Sequence, residues 1–216
     1  MRIVRFAPPA GSEIGTEPHF GILEDDTTIR AIASDPLYAG IFKEEATFQL
    51  DEVRLLAPVI PRSKVVCVGK NYADHAAEMG GEVPEEPIIF IKPNTSVIGP
   101  DDVIQWPSMS ERIDHEAELA VVIGSRARLV SRENALQHVA AYCCLNDLSA
   151  REFQFDVSPA QTTFAKSMDG FCPLGPVLLD AADVANPQDL WVRSWVNDEL
   201  MQEANTHDML FPVAEL

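Results

Sequence analysis

The run Asp114-His115-Glu116-Ala117-Glu118-Leu119-Ala120-Val121-Val122-Ile123 constrains the chain more than any other segment. Its second half is apolar, as a buried strand requires, and two glutamates stand at alternate positions just before it. Alternation along a strand puts Glu116 and Glu118 on one face with Cα atoms about 6.5–7 Å apart, so both carboxylates can converge on a single ion. Two like charges beside an apolar run raise each other's pKa unless a cation lies between them. Hard oxygen donors suit Mg²⁺ or Mn²⁺, with Ca²⁺ as a further candidate. Taken alone, a Glu-x-Glu pair is also what the solvated face of an edge strand looks like. Asp147, which follows the apolar strand expected from residue 141, adds a third carboxylate at a strand end, where sites gather. By itself it is equally a turn aspartate.

Composition narrows what such a site can serve. Thirty-four acidic against 16 basic residues leave a formal charge of −18, which repels phosphate backbones and anionic lipid and argues against nucleic-acid and membrane partners. A small anionic substrate then needs local cations, and a metal ion is one way to supply them. At 216 residues and 46% hydrophobic, the chain can bury a substantial core. Cys67, Cys143, Cys144 and Cys172 have neither zinc-ligand spacing nor the density of a disulfide scaffold, and are expected as reduced core thiols. With no signal-peptide pattern and no apolar stretch long enough to span a bilayer, a cytoplasmic location is expected.

The chain divides by punctuation. Strands are expected over 2–6, 19–23 and 28–32 and a helical turn within 36–42, forming a small β-rich unit. The prolines of Ala57-Pro58-Val59-Ile60-Pro61-Arg62 interrupt regular structure, so residues 1–58 are expected as an N-terminal domain and 59–216 as the catalytic one. Beyond the boundary, strands are expected over 64–68, 88–92, 113–123 and 141–148, with helices over 71–79 and from Ser131 to 139. Asn197-Asp198 reads as a two-residue hairpin turn in which both residues take positive φ. Residues 208–216 read as a helix, and a further strand is expected where the sequence stops, so the catalytic domain is expected to lack its C-terminal part.

Two more constellations carry chemistry. If Asn71 caps a helix, His75 and Glu78 stand at i and i+3 on one face, where the carboxylate can orient the imidazole as a general base; an exposed helix with a casual pair would look the same. Arg151, Gln154 and Lys166 follow Asp147 and can steer an anionic substrate, although surface ion pairs would also account for them.

The stretch 68–75 with Glu78, then Phe90-Ile91-Lys92-Pro93, His115-Glu116-Ala117-Glu118-Leu119, Asn146-Asp147-Leu148-Ser149-Ala150-Arg151 with Gln154, and Ala165-Lys166-Ser167 together resemble the fumarylacetoacetate hydrolase family. The resemblance implies a mixed α/β, β-rich fold: a mixed-sheet roll or barrel behind a small N-terminal domain, usually as a homodimer. It implies metal ligation by Glu116, Glu118 and Asp147, a water-activating His75/Glu78 dyad on a lid, Lys166 beside the reacting oxygen, and substrate contacts from Arg151, Gln154 and Lys166. The implied activity is C–C hydrolysis of a small 2,4-dioxo acid of acylpyruvate type through an enolate. Isomerisation of a 2-hydroxyhepta-2,4-diene-1,7-dioate or decarboxylation of an oxaloacetate-like acid is the alternative, and a non-catalytic metal-binding scaffold the second. Thr162-Thr163-Phe164 and Asn197-Asp198 depart from the family pattern.

Overall fold

The computed structural model describes residues 1–73 and 83–216. Among these the fold is strand-rich mixed α/β, and its largest element is one eight-stranded sheet. Strand β1 (Arg2–Ala7) lies inside it. On one side β1 pairs with β2 (His19–Leu23), which leads to β3 (Thr28–Ile32) and β4 (Lys43–Gln49), while β5 (Arg54–Leu56) pairs with the end of β1. The turn between β2 and β3 is fixed by the Asp25 carboxylate, which accepts from the Thr27 and Thr28 amides at 2.7 Å each.

On its other side β1 pairs with Leu178–Asp180, which pairs in turn with the strand Val139–Asn146, and that strand pairs with Ala117–Ile123. The N-terminal strands and the strands carrying the acidic residues therefore share one antiparallel ladder. Alternation along β1 splits its side chains between two cores. Val4 and Phe6 pack with Ile29, Ala31 and Phe48, whereas Ile3 joins Ala141, Cys143, Leu145, Cys172 and Leu178. Burying each large apolar side chain contributes about 1.5–3 kcal/mol, so this strand anchors the sheet from both faces.

Outside the sheet, β6 (Lys64–Gly69) and β7 (Ile88–Pro93) form a separate antiparallel pair, with Val65 opposite Lys92 and Cys67 opposite Phe90. Trp191–Val196 and Glu199–Asn205 form the expected hairpin, with Asn197 and Asp198 at φ 48° and 69°. Three sequence expectations change. The helix from Ser131 is a single turn, Arg132–Ala135, that tightens into a 3₁₀ turn at Leu136–His138. Residues 208–216 are turns and not a helix: Gln188 and Asn71 side chains capture their backbone groups, and Pro212 has no amide to give. Of the thiols, Cys143 and Cys172 are buried but Cys144 is exposed. Burial pushes Cys143 up to about 12 and Cys172 to about 11, so both stay protonated. No helix among the described residues is long and apolar enough to cross a membrane.

Candidate active site

The strand expected over 113–123 is two strands. Ile113–Asp114 pairs with Ser149–Ala150, Ala117–Ile123 pairs with Val139–Asn146, and His115 and Glu116 form the break between them. The cause is a side chain taking a ladder position: the Asn146 amide oxygen accepts the Glu116 N–H at 3.1 Å, and the Asp147 amide donates to the Glu116 carbonyl at 2.8 Å. Glu116 is thereby stitched to the segment that carries Asp147. Glu118 lies two residues on, inside the strand Ala117–Ile123.

Two ammonium groups reach the carboxylates. Lys166, at the end of the short helix Thr162–Lys166, lies 2.8 Å from Glu116 Oε2 and 2.8 Å from Asp147 Oδ2, and donates to Ser149 Oγ. Ser149 in turn donates to Glu116 Oε1 at 3.0 Å. Lys92 donates to Asp147 Oδ1 at 2.5 Å and to the Leu148 carbonyl at 3.3 Å. Lys92, Asp147, Ser149 and Lys166 are all buried. The Phe90 ring covers Lys166, with its centroid 5.2 Å from Nζ.

Burial works against the Lys166 ammonium, but the charges of Asp147 and Glu116 outweigh it and its pKa is raised, so it stays protonated at neutral pH. Glu118 has the opposite fate. Burial first, then the negative charges of Asp147 and Glu116, push its carboxyl up to about 8. Tyr72, just past the end of β6, is pushed to about 12 by burial and then by the charges of Glu118 and Asp208.

Arg151 and Gln154 sit on the short helix Arg151–Phe155 at the edge of the cluster. Arg151 Nη1 donates to Gln154 Oε1 at 3.2 Å and lies 3.5 Å from Glu116 Oε1. Its Nε is 3.0 Å from Asp114 Oδ2 but is not aligned for a hydrogen bond. The structure thus brings Glu116, Glu118, Asp147, Arg151, Gln154 and Lys166 into one neighbourhood. His75 and Glu78 lie outside the described residues. Sequence reasoning assigned no role to Lys92 or Ser149. The available signal was a lysine held between Ile91 and Pro93 in an apolar strand, but such a side chain can equally reach solvent.

Among the described residues, no three His, Cys, Asp or Glu side chains are gathered into a preformed metal cage. The donor chemistry nevertheless fits a hard divalent cation. Glu116 and Asp147 are paired with two ammonium groups, and one cation of the protein's own, the Lys166 Nζ, already lies between them. Burial and the charges of Asp147 and Glu116 resist ionisation of Glu118, and a further hard cation would relieve that resistance.

Residues 64–216 match the family described as fumarylacetoacetate (FAA) hydrolase C-terminal, and residues 1–58 match one described as Rv2993c-like, N-terminal. The chain belongs to the fumarylacetoacetate hydrolase family. This family member is 41% identical to protein Rv2993c of Mycobacterium tuberculosis over 223 aligned positions, covering all of this chain and 80% of the relative. It is 39% identical to the mitochondrial oxaloacetate tautomerase FAHD2B of Bos taurus over 233 positions, covering all of this chain and 74% of that one. Among solved structures, 5-carboxymethyl-2-hydroxymuconate delta-isomerase from Mycobacterium smegmatis superposes with a TM-score of 0.85 at 37% identity, over all of this chain and 80% of the other. This is an enzyme of the fumarylacetoacetate hydrolase family.

Proposed function

We propose that this enzyme moves a proton on a small 2-oxo acid by way of an enolate, as an isomerase or tautomerase, with Mg²⁺ or Mn²⁺ held by Glu116, Glu118 and Asp147. The carrying observation is the buried cluster in which Glu116 and Asp147 are bound by Lys92 and Lys166, with Glu118 close enough to feel both carboxylates. The tautomerase and isomerase names of the two relatives support this fate of the enolate over others. The ion, when bound, supplies positive charge that makes the carbon next to the 2-oxo group more acidic.

The remaining work falls to the chain's own side chains. Lys166 is held protonated by Asp147 and Glu116, so it acts as a donor to the substrate oxygen as negative charge builds there, and not as a base. Ser149 fixes the Lys166 ammonium and the Glu116 carboxylate relative to each other through one hydroxyl. Arg151, steadied by Gln154, offers its guanidinium to a substrate carboxylate at the rim. The Phe90 ring lies against the Lys166 ammonium. His75, which lies outside the described residues, is the base that this reading assigns to the proton on carbon.

C–C hydrolysis of an acylpyruvate is the second reading, favoured by the FAA hydrolase family match. It makes His75 act on water and not on carbon, and it ends in release of pyruvate. The test is a panel of oxaloacetate enol, a 2-hydroxydienedioate and an acylpyruvate with Mg²⁺ present, followed by ultraviolet absorbance and by coupled pyruvate detection. The proposal expects double-bond or keto–enol shifts, with Lys166→Met slowed about 10²–10³-fold and His75→Ala about 10²–10⁴-fold. Pyruvate released from the acylpyruvate, with no double-bond or keto–enol shift in the other two, would select hydrolysis. Metal binding without turnover of any panel member would defeat both readings.

A further inference from the structure

Lys92 is a buried cation that the reaction, as derived above, does not use. It is 0% exposed, it stands on the inward face of β7 with Phe90, and its hydrogen bonds go to Asp147 Oδ1 and the Leu148 carbonyl. The β6–β7 pair is separate from the eight-stranded sheet, whereas Asp147 directly follows a strand of that sheet. Lys92 therefore reaches from one sheet to the functional end of another. For stability alone the arrangement is a poor choice, since replacing a buried ion pair by well-packed apolar side chains is often neutral or stabilising. The two oxygens of Asp147 are also divided in a definite way: Oδ1 goes to Lys92 and Oδ2 to Lys166.

We propose that Lys92 is a positioning residue: by engaging Oδ1 and the next carbonyl, it fixes the Asp147 carboxylate so that Oδ2 faces Glu116 and Lys166, and so sets the site's affinity for a divalent cation. The inference rests on the metal-dependent reading given under Proposed function. It makes a prediction of sign. As a bare positive charge, Lys92 repels a divalent cation, so deleting it would tighten binding. As a holder of a ligand, its deletion weakens binding, because groups that orient a ligand typically contribute 10–100-fold to metal affinity. The two roles pull in opposite directions, and the measured direction identifies which dominates.

The experiment titrates the full chain with Mn²⁺ alone, by calorimetry or electron paramagnetic resonance, with near-ultraviolet circular dichroism confirming that each variant is folded. Lys92→Met is expected to bind Mn²⁺ about 10–100-fold more weakly. Lys92→Arg keeps the charge but presents a planar fork that does not reproduce a single ammonium shared between Asp147 Oδ1 and the Leu148 carbonyl. It is expected to weaken binding several-fold and is read on its own if Lys92→Met does not fold. Wild-type or tighter Mn²⁺ binding in a folded variant overturns the proposal, and failure of both variants to fold would make Lys92 a requirement of the fold and overturn it as well. Wild type and Glu118→Gln run alongside. If wild type binds no Mn²⁺, the metal reading itself fails; if Glu118→Gln loses Mn²⁺ while Lys92→Met keeps it, only the role of Lys92 fails.

Discussion

At the residue scale Glu118 is where the electrostatics of the cluster come to a head. Its carboxyl is raised from an ordinary 4.5 to about 8, first by burial and then by Asp147 and Glu116, with Lys166 and Lys92 opposing. A group whose folded pKa lies above its unfolded one favours the fold while protonated. Its contribution is therefore complete below about pH 4.5 and is lost as pH rises towards 8. Metal-free protein should lose stability across that window by on the order of a few kcal/mol, reduced because Glu118 keeps some accessible surface. Glu118→Gln should flatten the slope, and saturating Mg²⁺ should flatten it in wild type by keeping the carboxylate ionised. Urea denaturation at intervals between pH 5 and 8 measures this. An equal slope in wild type and Glu118→Gln would mean that Glu118 does not carry the shift.

At the scale of elements, a few long-range side-chain bonds decide where strands stop. Asn71, at the end of β6, donates to the Phe211 carbonyl at 3.0 Å and accepts the Phe211 amide at 2.8 Å, while Tyr72 bridges to Met209. Removing this clasp in Asn71→Ala leaves two buried backbone groups unpaired and should destabilise by about 1–3 kcal/mol for each group that finds no water. Urea unfolding checks it, and a change below about 0.5 kcal/mol, the range of an ordinary surface substitution, would contradict the clasp. The Asn71–Phe211 clasp was not legible in the sequence, because a partner 140 residues away leaves no local trace. The same limit hid the break at His115 and Glu116, which depends on the Asn146 side chain and not on any propensity of the run itself. What depends on local periodicity was legible, the 64–69 and 88–93 strands and the Asn197-Asp198 turn, whereas the grouping of Glu116, Glu118, Asp147, Arg151 and Lys166 came from the family resemblance and not from spacing. Lys92 was not legible, since a lysine in an apolar strand reads the same whether it ends in solvent or against a buried aspartate.

At the scale of the whole molecule, apolar exposure and net charge pull association in opposite directions. Val66, Ile89 and Ile91 on β6–β7 and Trp191, Trp195, Leu200 and Met201 on the last hairpin are exposed apolar groups, of the kind that marks association sites. A formal charge of −18 resists bringing copies together until salt screens it. The homodimer implied by the family resemblance should therefore strengthen with ionic strength. Sedimentation at about 0.05 and 0.5 M salt, where the screening length falls from above 10 Å towards 3–5 Å, should show mass shifting upward; a monomer at both would contradict it. The central claim is that this fold holds a divalent cation on Glu116, Glu118 and Asp147 in order to move a proton on a 2-oxo acid. It is tested most directly by the rate at which oxaloacetate enol relaxes to the keto form, followed by its ultraviolet absorbance, for wild type and Glu118→Gln with Mg²⁺ or with EDTA. The account predicts acceleration over buffer in wild type with Mg²⁺, lost on chelation and in Glu118→Gln; acceleration that survives both EDTA and Glu118→Gln would contradict it.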